Sequence, residues 1–77
     1  MRILILGGGT VGTWIADLLC RNRHSVTVVD ISPANTRRIN NELDVRALTG
    51  SASQSSVLFQ AGVMDSDICL AVTGNDE

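Results

Sequence analysis

Hydrophobic positions along the chain alternate between two spacings. Ile3, Leu4, Ile5 and Leu6 are consecutive, with no polar residue between them. An unbroken apolar run of that length suits a strand buried on both faces, as in a parallel sheet. Val11, Ile15, Leu18 and Leu19 then recur at helical spacing, with Trp14 and Ala16 between them. They predict a helix with one broad apolar face. The alternation repeats. Val26, Val28 and Val29 mark a second strand that ends in Asp30. Ser32-Pro33 opens a second helix, because serine is a good N-cap and proline suits the first helical position, where no N–H is needed. Ile39 and Leu43 face inward from it. Val45, Ala47 and Leu48 make a short third strand. Ser53 is expected to cap a third helix with Val57, Leu58 and Ala61 on its apolar side, and Gly62 to end it. After Asp65-Ser66-Asp67 a fourth strand carries Ile68, Leu70, Ala71 and Val72.

These signals predict strands over residues 2–6, 25–30, 45–49 and 68–72, and helices over 10–22, 33–42 and 54–61. Strands that alternate with helices imply a parallel sheet with right-handed crossovers. The expected fold class is α/β: a Rossmann-like parallel sheet of the pattern βαβαβαβ with strand order 3-2-1-4. A ligand crevice then lies at the carboxyl ends of the strands, where the order reverses between the first and the fourth. With 77 residues, one domain spans 1–77. A doubly wound domain has two halves, and this chain holds barely more than the first. The expectation is therefore the N-terminal portion of a nucleotide-binding Rossmann domain, cut after the fourth strand, or a domain whose apolar edge a partner chain covers.

Between the first strand and the first helix stand Gly7, Gly8 and Gly9, with Gly12 three residues on, in the first turn of the helix. The spacing Gly7-x-Gly9-x-x-Gly12 is the dinucleotide-binding fingerprint, and it has the context the fingerprint needs: a strand before it and a helix after it. Gly7 permits a sharp turn where a Cβ would be strained. Gly9 lets the backbone approach a pyrophosphate, and Gly12 lets the helix pack closely. The helix N-terminus aims free N–H groups and partial positive charge at the phosphates. Asp30 lies about twenty residues beyond the motif, where a carboxylate takes ribose hydroxyls.

Composition excludes other classes. Net charge is -2 and the sequence pI about 5.1, and the arginines form no run, so no nucleic-acid footprint exists. Hydrophobic residues make up 44%, a globular composition, yet no apolar run approaches the roughly 20 residues of a membrane span. The N-terminus lacks a signal-peptide pattern, so a cytoplasmic location is expected. Cys20 and Cys69 fall within apolar elements and are expected to be free and buried. No metal-ligand spacing is present. His24 has no partner nucleophile, so no catalytic residue is assigned. Arg21, Arg23 and His24 sit at the end of the first helix, where cations suit the dipole. Arg37 and Arg38 read as a solvated helix face, and Trp14 as a core or dimer contact.

Three stretches give the chain a family likeness: ILGGGTVG near the start, VTVVDISP at the second strand, and LTGSASQSSVLFQAGVMDSDICLAVTGNDE to the end. Together they resemble the N-terminal Rossmann half of the regulatory domain of potassium transport proteins, the TrkA-N, RCK or KTN type. The last stretch is the most specific, with Gly50, Ser51 and Ala52, then Ala61-Gly62, Asp65 with Asp67, and Thr73 with Asp76-Glu77. The resemblance implies a nucleotide sensor and not an enzyme. It implies a cytoplasmic homo-oligomer, a dimer or a tetrameric ring, peripheral at the inner face of the membrane beneath a potassium transporter or channel subunit. It implies NAD or NADH as ligand, with ATP or ADP as the alternative, and gating by ligand-dependent change of shape.

By position, the resemblance makes Gly7, Gly9, Thr10, Val11 and Gly12 the phosphate loop. Asp30 would hold the ribose with Ile31 beside the adenine. Ser51 and Ala52 would line the far side of the adenine, and Thr73 and Asn75 would sit across the crevice. Thr10, Thr73 and Asn75 also fit cap and turn positions without a ligand, and Ser51-Ala52 a tight turn. Many relatives carry an acidic residue where Ser32 stands, an arginine where Asn35 stands, and an aspartate where Ser51 stands. Asp30 repels a 2′-phosphate, which disfavours NADP. The competing reading is the cofactor half of an NAD-dependent oxidoreductase whose acid or base lies elsewhere. A third is a dimerising remnant that binds nothing.

Overall fold

In the computed structural model, described over residues 1–7, 9–51 and 53–72, the expected alternation is present. The elements are β1 (Arg2–Leu6), α1 (Thr10–Arg21), β2 (Ser25–Asp30), α2 (Pro33–Glu42), β3 (Arg46–Thr49), α3 (Ser55–Ala61) and β4 (Ile68–Ala71). They build a four-stranded sheet of order β3-β2-β1-β4, and every pairing is parallel. Leu6 stands opposite Val29 on one side and Ala71 on the other, and Asp30 opposite Thr49. All four strands therefore end along one rim of the sheet.

β1 is apolar throughout because it has a strand on each side and helices on both faces. One face of the sheet packs Ile3, Ile5, Val26, Val28, Val45 and Ala47 against α1 and α2, with Ala16 and Ile39 buried among them. The other face packs Leu4 and Val29 against Ala61 of α3, with Leu6, Leu48, Val57 and Leu58 around them. Leu4, Ile5 and Val28 are fully enclosed.

Several local details differ from the sequence reading. Gln54, not Ser53, is the N-cap residue of α3, and Gly62 ends that helix in the left-handed conformation at φ 84°. A 3-10 turn at Val63–Asp65 follows. On α1 the inward stripe is narrower than the apolar spacing predicts. Gly12 and Ala16 are buried and Ile15, Leu19 and Cys20 pack beside them, while Val11, Trp14 and Leu18 are exposed. Trp14 is thus not a core residue. Cys20 is half-buried and Cys69 exposed, against the expectation that both are buried. Cys69 pairs with Leu4 on the α3 face of the sheet, but α3 covers Leu4 and leaves the outermost strand bare.

The two edges of the sheet are treated differently. β3 is an edge strand, and an edge strand exposes unpaired N–H and C=O groups. Asn40 of α2 occupies one of these stations: its Nδ2 donates to the Ala47 carbonyl at 3.1 Å, and its Oδ1 accepts from the Ala47 N–H at 2.9 Å. The side-chain amide so takes the place of a neighbouring peptide. Thr36, buried in the same helix, donates to the Pro33 carbonyl and meets Thr49 Oγ1 at 2.6 Å. Asn40→Ala removes both bonds to Ala47 and is expected to cost about 1–2 kcal/mol. Chemical denaturation would show it, together with a fall in Tm of about 4–8 °C per kcal/mol for a domain of this size.

Candidate functional site

The rim where the strands end brings together the glycine turn, Asp30 and the start of α1. Gly7 continues the β1–β2 ladder by donating to the Val29 carbonyl at 2.7 Å. Its φ of 109° is open to glycine and strained for other residues. A Cβ on Gly7 would overlap the carbonyl oxygen of Val72, so the residue that follows β4 lies directly against this turn. A Cβ on Gly12 would overlap the Gly7 carbonyl oxygen and come within 3.9 Å of Ile5 Cγ2. The third glycine of the fingerprint therefore fits the helix against the turn more than against the sheet.

Gly9 differs from both. Its φ of -69° is ordinary for any residue, and a Cβ there would meet nothing within 4 Å. No contact among the described residues requires glycine at this position; within that set the space beside its backbone is open. Gly9 is also the N-cap of α1, and no side-chain cap hydrogen bond closes that helix start. The contrast is α2, whose N-cap Ser32 accepts from the Asn35 N–H at 3.3 Å. An open helix N-terminus beside a glycine cradle is suited to an anion. Thr10 and Val11 are exposed in the first turn of α1. Arg38 of α2 donates to Thr13 Oγ1 at 3.4 Å, so it ties α2 to that turn instead of lying only on a solvated face.

Asp30, half-buried at the tip of β2, has a fixed carboxylate. Oδ1 accepts from the Ile31 N–H at 2.8 Å, and Oδ2 accepts from Asn35 Nδ2 at 2.8 Å. The Asp30 carbonyl accepts from the Gly50 N–H at 2.8 Å, which brings the turn after β3 against the tip of β2. Ile31 is 71% exposed, an apolar side chain left in solvent next to the carboxylate. Ser51 follows Gly50, but its hydroxyl is engaged in its own turn, 2.7 Å from Ser53 Oγ and accepting from the Ser53 N–H at 3.2 Å. Ala52, Thr73 and Asn75, also expected at the site, lie outside the described residues.

The structure thus gathers Gly7, Gly9, Thr10, Val11, Gly12, Asp30, Ile31 and Ser51 along one rim. Asn35 was not among the residues expected to belong to the site. Its spacing of five from Asp30, across a capped helix start, was the available signal. A larger cavity of about 780 Å³ lies at the opposite rim, where the strands begin, with Arg2, Arg23, Arg46, Asp44 and Asp65 in its lining. Its charges are mixed and it touches none of the fingerprint residues. No group of acidic, histidine or cysteine residues able to hold a metal occurs among the described residues.

A glycine turn from a central strand into an uncapped helix, with a carboxylate on the next strand tip, defines a Rossmann-type domain of the nucleotide-binding class. The family follows from comparison: the model of the TrkA-N domain matches residues 3–77, and the chain belongs to that family. Among curated relatives, the Trk system potassium uptake protein TrkA of Halomonas elongata is 43% identical over 77 residues, all of this chain and 17% of that protein. The TrkA homolog of Archaeoglobus fulgidus is 46% identical with the same coverage. That of Methanothermobacter thermautotrophicus is 34% identical, with 36% of its length covered. The chain thus spans 17% of the length of the first two relatives. Among solved structures, the Kef CTD of Shewanella denitrificans in AMP bound form shares the fold, with a TM-score of 0.79 over 97% of this chain and 44% of that one, at 21% identity.

The glycines separate into two classes by what surrounds them. Gly9→Ala is expected to stay within about 1 kcal/mol of the unsubstituted chain, since a lost N-cap preference opposes a gain in backbone order. Gly12→Ala forces backbone apart and is expected to cost about 1–3 kcal/mol. Urea titrations of the two variants would check the order; a larger loss at Gly9 would show that the turn is not packed as described.

Proposed function

We infer that this chain is the nucleotide-binding regulatory module of a potassium transport system. The observation that carries the reading is the open space at Gly9 beside the uncapped start of α1, on the same rim as the fixed carboxylate of Asp30. A dinucleotide or an adenine nucleotide suits that pair: phosphate oxygens against the first-turn N–H groups of Thr10, Val11 and Gly12, ribose hydroxyls on Asp30. Ile31 supplies an apolar surface for the base. Thr73, Asn75 and Ala52 retain their proposed places around the ligand through the family likeness alone, and Ser51 through its position after Gly50. NAD or NADH is the proposed ligand, with ATP or ADP as alternatives. The Kef domain supports the fold alone, and its AMP-bound form adds AMP to the panel worth testing.

The transport role rests on the relatives' names, which place them in potassium uptake. In this reading the module acts without catalysis, as a dimer or tetrameric ring on the cytoplasmic side, through a membrane transporter or channel subunit. No helix among the described residues is long and apolar enough to cross a membrane, so attachment in this reading goes through the partner. A ligand shifts such an assembly only by its difference in affinity for two shapes. The competing reading, the cofactor half of an oxidoreductase, has no side chain on the described rim placed as a hydride-relay acid or base.

Calorimetric titration with NAD, NADH, ATP, ADP, AMP and NADP tests the reading. Binding of adenine nucleotides is expected, with NADP weaker because its 2′-phosphate meets a carboxylate. Asp30→Ala is expected to weaken binding about tenfold or more, the worth of hydrogen bonds to a charged acceptor. A chain that refuses every adenine nucleotide would overturn the reading.

A further inference from the structure

We propose that Asn35 is a positioning residue that makes the nucleotide site selective for an intact ribose, a step that rests on the nucleotide-binding reading above. Two donors on different elements hold the carboxylate of Asp30. The Ile31 N–H, in the turn leaving β2, holds Oδ1, and the Asn35 side-chain amide, in the first turn of α2, holds Oδ2, each at 2.8 Å. Asn35 is itself held, since its backbone N–H donates to Ser32 Oγ at 3.3 Å and Pro33 begins the helix. The carboxylate plane is therefore set by the geometry of the β2–α2 turn.

A carboxylate oxygen offers about two acceptor positions. One on each oxygen of Asp30 is used, which leaves one on each. Two acceptors a carboxylate's width apart match the two neighbouring hydroxyls of a ribose. The same carboxylate free to rotate would still attract a hydroxyl, but would not present both acceptors together. The donor at this position is also neutral. The ion pair present among the described residues joins Arg21 to Asp17, away from Asp30, so no cation among them is paired with the Asp30 carboxylate. A guanidinium in place of the amide would also donate to the carboxylate but would set a positive charge against it. The amide orients Asp30 and leaves its repulsion of a phosphorylated ribose intact.

The test compares ADP with 2′-deoxy-ADP by calorimetry on the full chain, the Asn35→Ala variant and the Asn35→Asp variant, with Tm recorded without ligand. The unsubstituted chain is expected to prefer ADP by about tenfold, one lost hydrogen bond to a charged acceptor. Both variants are expected to bring that preference to within about threefold of unity, mainly by weakening ADP. Asn35→Asp keeps the side chain's shape but sets a second carboxylate against Asp30, so a loss of preference shared with the neutral Asn35→Ala is the result that belongs to the lost donor. A preference unchanged in both variants overturns the proposal while the nucleotide site stands. So does an equal weakening of both nucleotides, which is the mark of a merely structural residue. Failure of the unsubstituted chain to bind ADP overturns the proposal, and the reading beneath it falls as well only where every adenine nucleotide is refused.

Discussion

Three pieces of backbone meet at one point with no room for a side chain: the end of β1, the first turn of α1 and the residue that follows β4. Gly7 lies beneath the Val72 carbonyl, and Gly12 lies against the Gly7 carbonyl. This contact fixes where α1 begins and in which direction its N-terminus points. It also locks β4 to the turn, beyond the ladder bond from the Val72 N–H to the Leu6 carbonyl at 2.8 Å. A methyl group at Gly12 would force the helix start and the turn apart, and one at Gly7 would force Val72 and the turn apart.

The rest of the fold serves to hold that point still. β1 and β2 are buried on both faces, and the interior they form has two separate clusters, one under α1 and α2, the other under α3. The two outer strands are unequal. β3 has its exposed peptide groups at Ala47 satisfied by Asn40. On β4 the residues Ile68, Cys69 and Ala71 are exposed. Among the described residues, α1 likewise turns Val11, Trp14 and Leu18 to solvent. Apolar surface is thus left uncovered on the side of the domain where β4 lies and on the outer face of α1, besides single side chains such as Ile31 and Phe59. The β3 side is closed by polar side chains.

Much of this was legible in the sequence, because hydrophobic period and turn chemistry are local. ILIL followed by glycines fixed the central strand and its turn, Ser32-Pro33 placed the start of α2, and Gly62 placed the end of α3. What was not legible depends on which neighbours exist. Apolar spacing on α1 counts Val11, Trp14 and Leu18 as readily as Ile15 and Leu19, yet the sheet reaches only one side of the helix. Cys69 alternates correctly for a strand, but α3 is too short to cover it. Asn40 and Asn35 were missed for a different reason. Each spans from helix to strand by one amide, over separations of seven and five residues, and no periodic pattern marks such a bond. At the site, the glycines and Asp30 were read from spacing. The fixing of Asp30 was not, because it depends on where α2 begins relative to the tip of β2.

These constraints bear on how a nucleotide would act on the domain. The buried centre of the sheet, with Leu4, Ile5 and Val28 fully enclosed, does not deform cheaply, since a close-packed interior resists small displacements. A ligand seated on the rim contacts the α1 start and the β2–α2 turn, both anchored to that centre. Binding there creates little motion by itself. On the β4 side an exposed strand joins the glycine turn through Gly7 and Val72. A phosphate drawn against Gly9 would load the turn on which the Val72 carbonyl rests. A ligand that distinguishes two shapes must therefore touch something besides that buried centre, since only a difference in affinity for the two shifts their balance.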